Sequence, residues 1–128
     1  MISEAFYIDV YDYNLFIVIS RKDQDDISAL EKELKRLTLP DDFILEALKN
    51  FDDGGWGGQY IFDGSTRKAC IEIHNCNKAW KAADILVHEM EHIRYQIVEH
   101  HGLEGSEASA YLAGFLGRKL LPLVLRMK

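Results

Sequence analysis

The chain has 128 residues and a formal net charge of −6, with 48% hydrophobic and 28% charged residues. This length fits one compact domain, spanning 1–128, and the composition is that of an ordinary folded protein. Because binding to phosphates needs a basic surface, the acidic balance argues against a nucleic-acid binder and disfavours docking on anionic membranes.

The first half of the chain predicts two strands followed by two helices. Apolar and polar residues alternate over 6–11, the period of a half-buried strand, and 15–19 is a continuous apolar run that predicts its partner strand. Apolar residues then recur at helical spacing at Ile27, Leu30, Leu34 and Leu37. Residues 41–51, directly after Pro40, predict a short second helix.

The second half predicts a hairpin and two more helices. A glycine-rich loop at 52–58 surrounds Trp56, and strands at 60–62 and 68–73 flank turn residues at 63–66. A long helix is predicted over about 77–101, with Gly102 as its C-terminal stop, and Ser106 caps a last helix that runs towards Leu121. The order ββα(α)ββαα predicts an α+β domain.

The cysteines and the chain ends favour a reducing, cytoplasmic setting. Cys70 and Cys76 are too few for a disulfide framework, and the N-terminus lacks the basic and apolar regions of a signal peptide. The hydrophobic run at 111–125 is interrupted by charged residues and a proline and is too short to span a bilayer. We also expect no removable pro-segment.

The long helix carries the sequence His88-Glu89-Met90-Glu91-His92. Two histidines four residues apart on a helix differ by about 40° around the axis and about 6 Å along it, so both rings can point at one ion. They lie roughly 140° from the predicted core stripe of the same helix. That stripe consists of Ala79, Ala82, Leu86, Met90, Ile93 and Ile97. The pair therefore predicts a site for one divalent metal ion, with zinc as the first choice.

His88-Glu89-x-x-His92 resembles the signature of the zincin metallopeptidases. The resemblance implies a small twisted sheet packed on the motif helix, zinc bound by both histidines, and Glu89 as general base on the water that the metal activates. Helical geometry alone does not choose Glu89, because Glu91 lies symmetrically on the other side of the pair, each about 60° from the nearer histidine. The resemblance leaves Glu91 as a solvated or supporting carboxylate.

Catalytic zinc usually takes a third protein ligand. The metzincin pattern is excluded because Tyr95 and Val98 occupy its glycine and third-histidine positions. Glu99 lies roughly 10 Å along the helix from His92, out of reach, as are His100 and His101, which would instead complement the helix dipole. The sequence beginning Ser106-Glu107-Ala108 is similar to the ligand helix of intracellular gluzincin-like peptidases from phages and mobile elements. This resemblance selects Glu107, and Glu104 stays open as the alternative.

Several neighbouring residues have two interpretations each. Tyr111, one turn beyond Glu107, would donate a hydrogen bond to a tetrahedral oxyanion, or it would be an amphipathic core residue. Asp84 would accept a hydrogen bond from the far nitrogen of a ligand imidazole, or it would be a favourable charge early in the helix. Small residues at Ala110, Ala113, Gly114 and Gly117 would let the last helix approach its neighbour and bring Glu107 to the pair.

The predicted hairpin carries a second group of polar residues. Cys70, Glu72 and His74 share one face of its second strand, with Cys76 just beyond. A second zinc site is conceivable, but the spacing matches no common structural-zinc pattern, and reduced cysteines in or near a half-buried hairpin are the simpler interpretation. By analogy with zincins, the strand at 71–73 would form the edge of the active-site cleft and pair with an extended peptide.

The sequence thus predicts a small zinc metallopeptidase that acts on a protein or peptide substrate. The alternative is a domain that retains the metal but acts by binding a partner protein, and a third interpretation is a metal-free interaction module with an accidental motif. The substrate and the oligomeric state do not follow from the sequence.

Overall fold

A computed structural model describes residues 1–9, 11–101 and 106–127. The element order is ββααββαα, so the domain has the predicted α+β class. The strands are β1 (Ile2–Ile8), β2 (Tyr13–Ser20), β3 (Gly57–Asp63) and β4 (Lys68–His74). The helices are α1 (Ile27–Arg36), α2 (Asp41–Asp53), α3 (Ala79–His100) and α4 (Ser106–Val124). Within these described residues, no helix is both long and apolar enough to cross a membrane.

The four strands form one mixed sheet in the order β1-β2-β4-β3. β1 pairs with β2 and β3 pairs with β4 in antiparallel fashion, whereas β2 and β4 are parallel. The two central strands are the most continuously buried, as expected for strands that are covered on both faces. The prediction that the strand at 71–73 pairs with an extended peptide is wrong, because β4 already bonds to β2 on one side and to β3 on the other. β1 and β3 are the two edge strands.

Helices cover both faces of the sheet and give the domain two apolar cores. One core lies between the sheet and α3 with α4, and includes Leu15, Ile17, Ile71, Leu86, Ile93, Leu112 and Leu116. The other lies between the sheet and α1 with α2, and includes Val18, Leu30, Leu34, Phe43, Ala47 and Cys70. Because successive side chains of a strand point to opposite faces, residues of β2 and β4 alternate between the two cores.

Most element boundaries agree with the sequence prediction within a few residues. Asp26 caps α1 by accepting a hydrogen bond from the Ser28 amide at 2.6 Å, and Gly54, with φ of 79°, ends α2 in the left-handed conformation. β1 begins and ends earlier than predicted, and Val10 lies outside the described residues. So do the predicted stop Gly102, the alternative ligand Glu104, and the side chain of Ser106.

The contact face of α4 differs from the predicted one. Ala110, Ala113 and Gly114 are exposed, and a Cβ atom built at Gly114 would meet nothing within 4 Å. The helix packs instead through a row of buried residues, Leu112, Leu116, Leu120 and Val124. Burying large side chains removes more apolar surface from water than a small-residue contact would, which explains the preference.

Candidate metal centre

His88 and His92 meet on the surface of α3. Their Nε2 atoms are 3.2 Å apart and their ring centroids are 4.8 Å apart, with the ring planes at 79°. Both side chains are exposed, so the pair is open to ions and to a substrate. A neutral imidazole carries a lone pair on one nitrogen, so two facing Nε2 atoms need either a shared proton or a cation between them.

The separation of the two nitrogens suits zinc. For an ion at the usual distance of 2.0–2.1 Å from both atoms, the angle between the two nitrogens at the ion would be about 100°, which is close to the tetrahedral arrangement of zinc sites. The backbone of one helix holds both histidines on the same face, as the sequence predicted. The residues present therefore fit a divalent metal, with at least one further position left for another ligand.

Glu89 and Glu91, which helical geometry could not distinguish, have different surroundings. Glu89 is 6% exposed, and burial raises the pKa of its carboxyl while His88 and His92 oppose the rise. Glu91 is exposed and forms an ion pair with Arg94, which lowers its pKa. Only Glu89 is an unpaired carboxylate held beside the histidines in a partly desolvated environment, the setting expected for a general base.

Tyr60 of β3 is a neighbour of the pair that the sequence analysis did not single out. Its ring stacks on His92, with centroids 4.7 Å apart and planes at 11°. A Cβ atom built at Gly58, two residues earlier, would lie 2.5 Å from Ile85 Cγ2 of α3 and 2.9 Å from the Glu72 carbonyl oxygen. A glycine inside a strand often marks such a close approach, so Gly58 was the signal available in the sequence.

The structure does not bring Glu107 or Tyr111 to the histidines. Tyr111 is 72% exposed and lies beside Ile8 and Tyr11 near the end of β1, which is the edge of the sheet opposite to β3. Three strand spacings, about 14 Å, separate these two edges. Glu107 is exposed one turn earlier on the same helix. In the described part of the chain, no three His, Cys, Asp or Glu side chains are gathered to hold a metal ion. The assignment of Glu107 and Tyr111 to the site stays a prediction.

The other residues considered for the site have different surroundings. Asp84 is exposed, one turn before His88. His100 packs against Gly64 in the turn between β3 and β4. A Cβ atom added at Gly64 would lie 2.5 Å from the His100 ring. His101 is the C-cap of α3, and its ring lies edge-on to the ring of Tyr13 in β2, with the centroids 5.5 Å apart. Both histidines therefore contact the sheet or the turn between its strands.

The polar residues of β4 form a buried pair. The Nδ1 atom of His74 lies 3.0 and 3.1 Å from the two carboxylate oxygens of Glu72, so it donates to them, and both residues are almost fully buried. Burial raises the pKa of Glu72 while His74 opposes the rise. Cys70 and Cys76 are free and buried in different cores. Both cysteines are thus buried free thiols, and the reducing setting of the protein stays a prediction.

Comparison with known proteins gives no match to this chain among family models, curated proteins or solved structures. The likeness to zincins therefore rests on the motif sequence alone.

Proposed function

We propose that this chain is a zinc-dependent peptidase whose metal is held by His88 and His92. The observation that carries the proposal is the 3.2 Å separation of the two Nε2 atoms on an exposed helix face, beside the buried carboxylate of Glu89. A bound zinc ion would supply Lewis acidity, which lowers the pKa of a water to about 7 and polarises a carbonyl oxygen. Glu107 remains the proposed third ligand, with Glu104 as its alternative.

Glu89 is the proton carrier of this proposal. Its carboxylate accepts a proton from the attacking water and delivers it to the amine that leaves the cleaved peptide bond. Arg94, three residues after Glu91, forms an ion pair with that carboxylate, and both histidines lie within one turn of Glu89. We keep Tyr111 as a proposed hydrogen-bond donor, to be tested separately from Glu89.

The proposed substrate is an extended segment of a protein or peptide. β3 is an edge strand next to the histidine pair, and its free backbone groups could pair with an added strand. This replaces the assignment of that role to residues 71–73. We further propose that the protein acts in the cytoplasm, because its two cysteines are free thiols.

A comparison of Glu89→Gln with Glu91→Gln tests the proposal. Protein purified without a histidine tag is analysed for metal content, and cleavage of an unstructured protein is followed at equal zinc occupancy. We expect about one zinc per chain in all three proteins, with cleavage reduced about 10²- to 10⁴-fold in Glu89→Gln and little changed in Glu91→Gln. Wild-type protein without stoichiometric zinc, or an active Glu89→Gln variant, contradicts the proposal.

A second candidate function is metal-dependent binding of a partner protein without catalysis. It is supported by the exposure of both histidines, which leaves the pair open to a partner protein. If the wild type and both variants hold zinc and none of them cleaves the substrate, this candidate replaces the peptidase.

A further inference from the structure

The histidine pair consists of exposed side chains, and one of them is held by a contact outside its own helix. An exposed histidine on a helix ordinarily samples several side-chain rotamers, each of which points the ring in a different direction. His92 is restrained because its ring lies flat on Tyr60 at 4.7 Å. A stacked aromatic contact of this kind stabilises the arrangement of the two rings by more than the burial of their apolar area alone.

The contact depends on how β3 lies against α3. Gly58, Tyr60 and Phe62 alternate onto the strand face that meets the helix. Their respective neighbours on α3 are Ile85, His92 and His100. Because Gly58 has no side chain, the strand comes close enough for Tyr60 to reach the second histidine of the motif, while Phe62 contacts a histidine outside it.

We propose that Tyr60 is a positioning residue of the metal centre, which holds His92 in the orientation that directs its Nε2 atom towards that of His88. This inference rests on the proposed function, since it assigns Tyr60 a role in metal binding. Without the stack, metal binding must itself order the His92 ring, and the affinity falls accordingly. The oxygen of Tyr60 plays no part in this role, so a phenylalanine at the position fulfils it.

The experiment compares three variants. Tyr60→Phe retains the ring, Tyr60→Leu keeps apolar bulk without an aromatic face, and Phe62→Leu makes the same change at a position that faces His100. Zinc affinity is measured by competition with a chelator. We expect Tyr60→Leu to bind zinc about tenfold more weakly than wild type, as for other residues that orient a metal ligand. Tyr60→Phe and Phe62→Leu should bind zinc within about twofold of the wild type.

A measurement on the metal-free protein separates this inference from the proposed function. The aromatic ring current of Tyr60 shields the protons of the stacked His92 imidazole. In the NMR spectrum, these protons should therefore resonate upfield in wild type and Tyr60→Phe, and move downfield in Tyr60→Leu. Unchanged zinc affinity in Tyr60→Leu, or an equal loss in Phe62→Leu, overturns the positioning role. Failure of the wild type to bind zinc, with the upfield His92 resonances present, overturns the proposed function instead.

Discussion

Glu72 and His74 form a buried pair, and the burial of the Glu72 carboxylate by itself destabilises the folded state. A carboxylate that leaves water loses its hydration, and only a well-placed hydrogen-bonding partner compensates for this loss. His74 provides that partner through Nδ1, while the nearby Glu89 carboxylate acts in the opposite direction and raises the pKa of Glu72. The stability of the sheet therefore depends on His74 remaining beside Glu72.

Replacement of His74 should make the stability of the protein depend on pH. In His74→Leu the pKa of Glu72 rises further above its ordinary 4.5. A raised pKa in the folded state gives stability that is present below the unfolded value and lost as the pH rises through the folded one. We expect the variant to lose roughly 3 kcal/mol or more at pH 7.5 and less at pH 5.5, as measured by urea unfolding.

The matched control is the double variant Glu72→Gln, His74→Leu. It has no titratable side chain at either position, so its own stability should change less between the two pH values than that of His74→Leu. A His74→Leu protein whose loss of stability is the same at both pH values would show that Glu72 does not titrate in this range.

At the scale of elements, the position of β3 against α3 depends on Gly58. A Cβ atom there would lie 2.5 Å from Ile85 Cγ2, which could move, and 2.9 Å from the Glu72 carbonyl oxygen, which belongs to the central strand. Any larger residue must push β3 away from both neighbours. Overpacking of this kind typically costs about 1–3 kcal/mol.

The variant Gly58→Ala should thus affect both stability and metal binding. We expect a loss of about 1–3 kcal/mol in unfolding free energy. Zinc binding should also weaken, because Tyr60 moves away from His92. Gly55→Ala is the control, since a Cβ atom at that position meets nothing within 4 Å. A Gly58→Ala protein that is as stable and binds zinc as tightly as Gly55→Ala contradicts the close approach.

The elements that sequence alone predicted are those with strong local patterns. The apolar period of α1, the turn residues at 63–66 and the buried stripe of α3 at Leu86, Ile93 and Ile97 were confirmed. These patterns concern contacts that a helix or hairpin makes on one face, so they can be found without knowledge of its partner. The same local geometry predicted that His88 and His92 meet.

The features that sequence could not predict depend on the order of strands and helices in space. The parallel pairing of β2 with β4 makes β3 one of the two edge strands, and this pairing joins residues far apart in the chain. The small residues of α4 suggested a contact face, but its buried leucines lie on another side of the helix. Tyr60 was missed because its importance comes only from its position opposite His92.

At the scale of the whole molecule, the two helices on the metal-site face of the sheet lie at opposite edges. α3 packs along β3, whereas α4 runs beside β1, where Arg126 donates to the Glu4 carboxylate at 2.7 Å. The Arg94 guanidinium of α3 donates to the Ser109 hydroxyl of α4. Arg94 lies about 140° around α3 from the histidine pair. The histidines therefore face away from α4.

Metal binding through Glu107 would change this arrangement, because the first turn of α4 would have to come to the other side of α3. If Glu107 is the third ligand, zinc should slow amide hydrogen exchange over 106–113 in the wild type. The same effect should appear in Glu99→Gln, which removes an exposed carboxylate of the motif helix. It should be absent in Glu107→Gln. The zinc affinity of Glu107→Gln should also fall at least tenfold.

The linked effect on stability checks the same ligand independently. Zinc at 100 times its dissociation constant stabilises a folded protein by about 2.7 kcal/mol, provided that it does not bind the unfolded chain. At that fixed concentration, Glu107→Gln should retain only part of this gain, while Glu99→Gln should retain all of it. If zinc stabilises Glu107→Gln as much as the wild type and leaves exchange at 106–113 unchanged, Glu107 is not a ligand. The ion is then held by the two histidines of α3 with a partner other than Glu107.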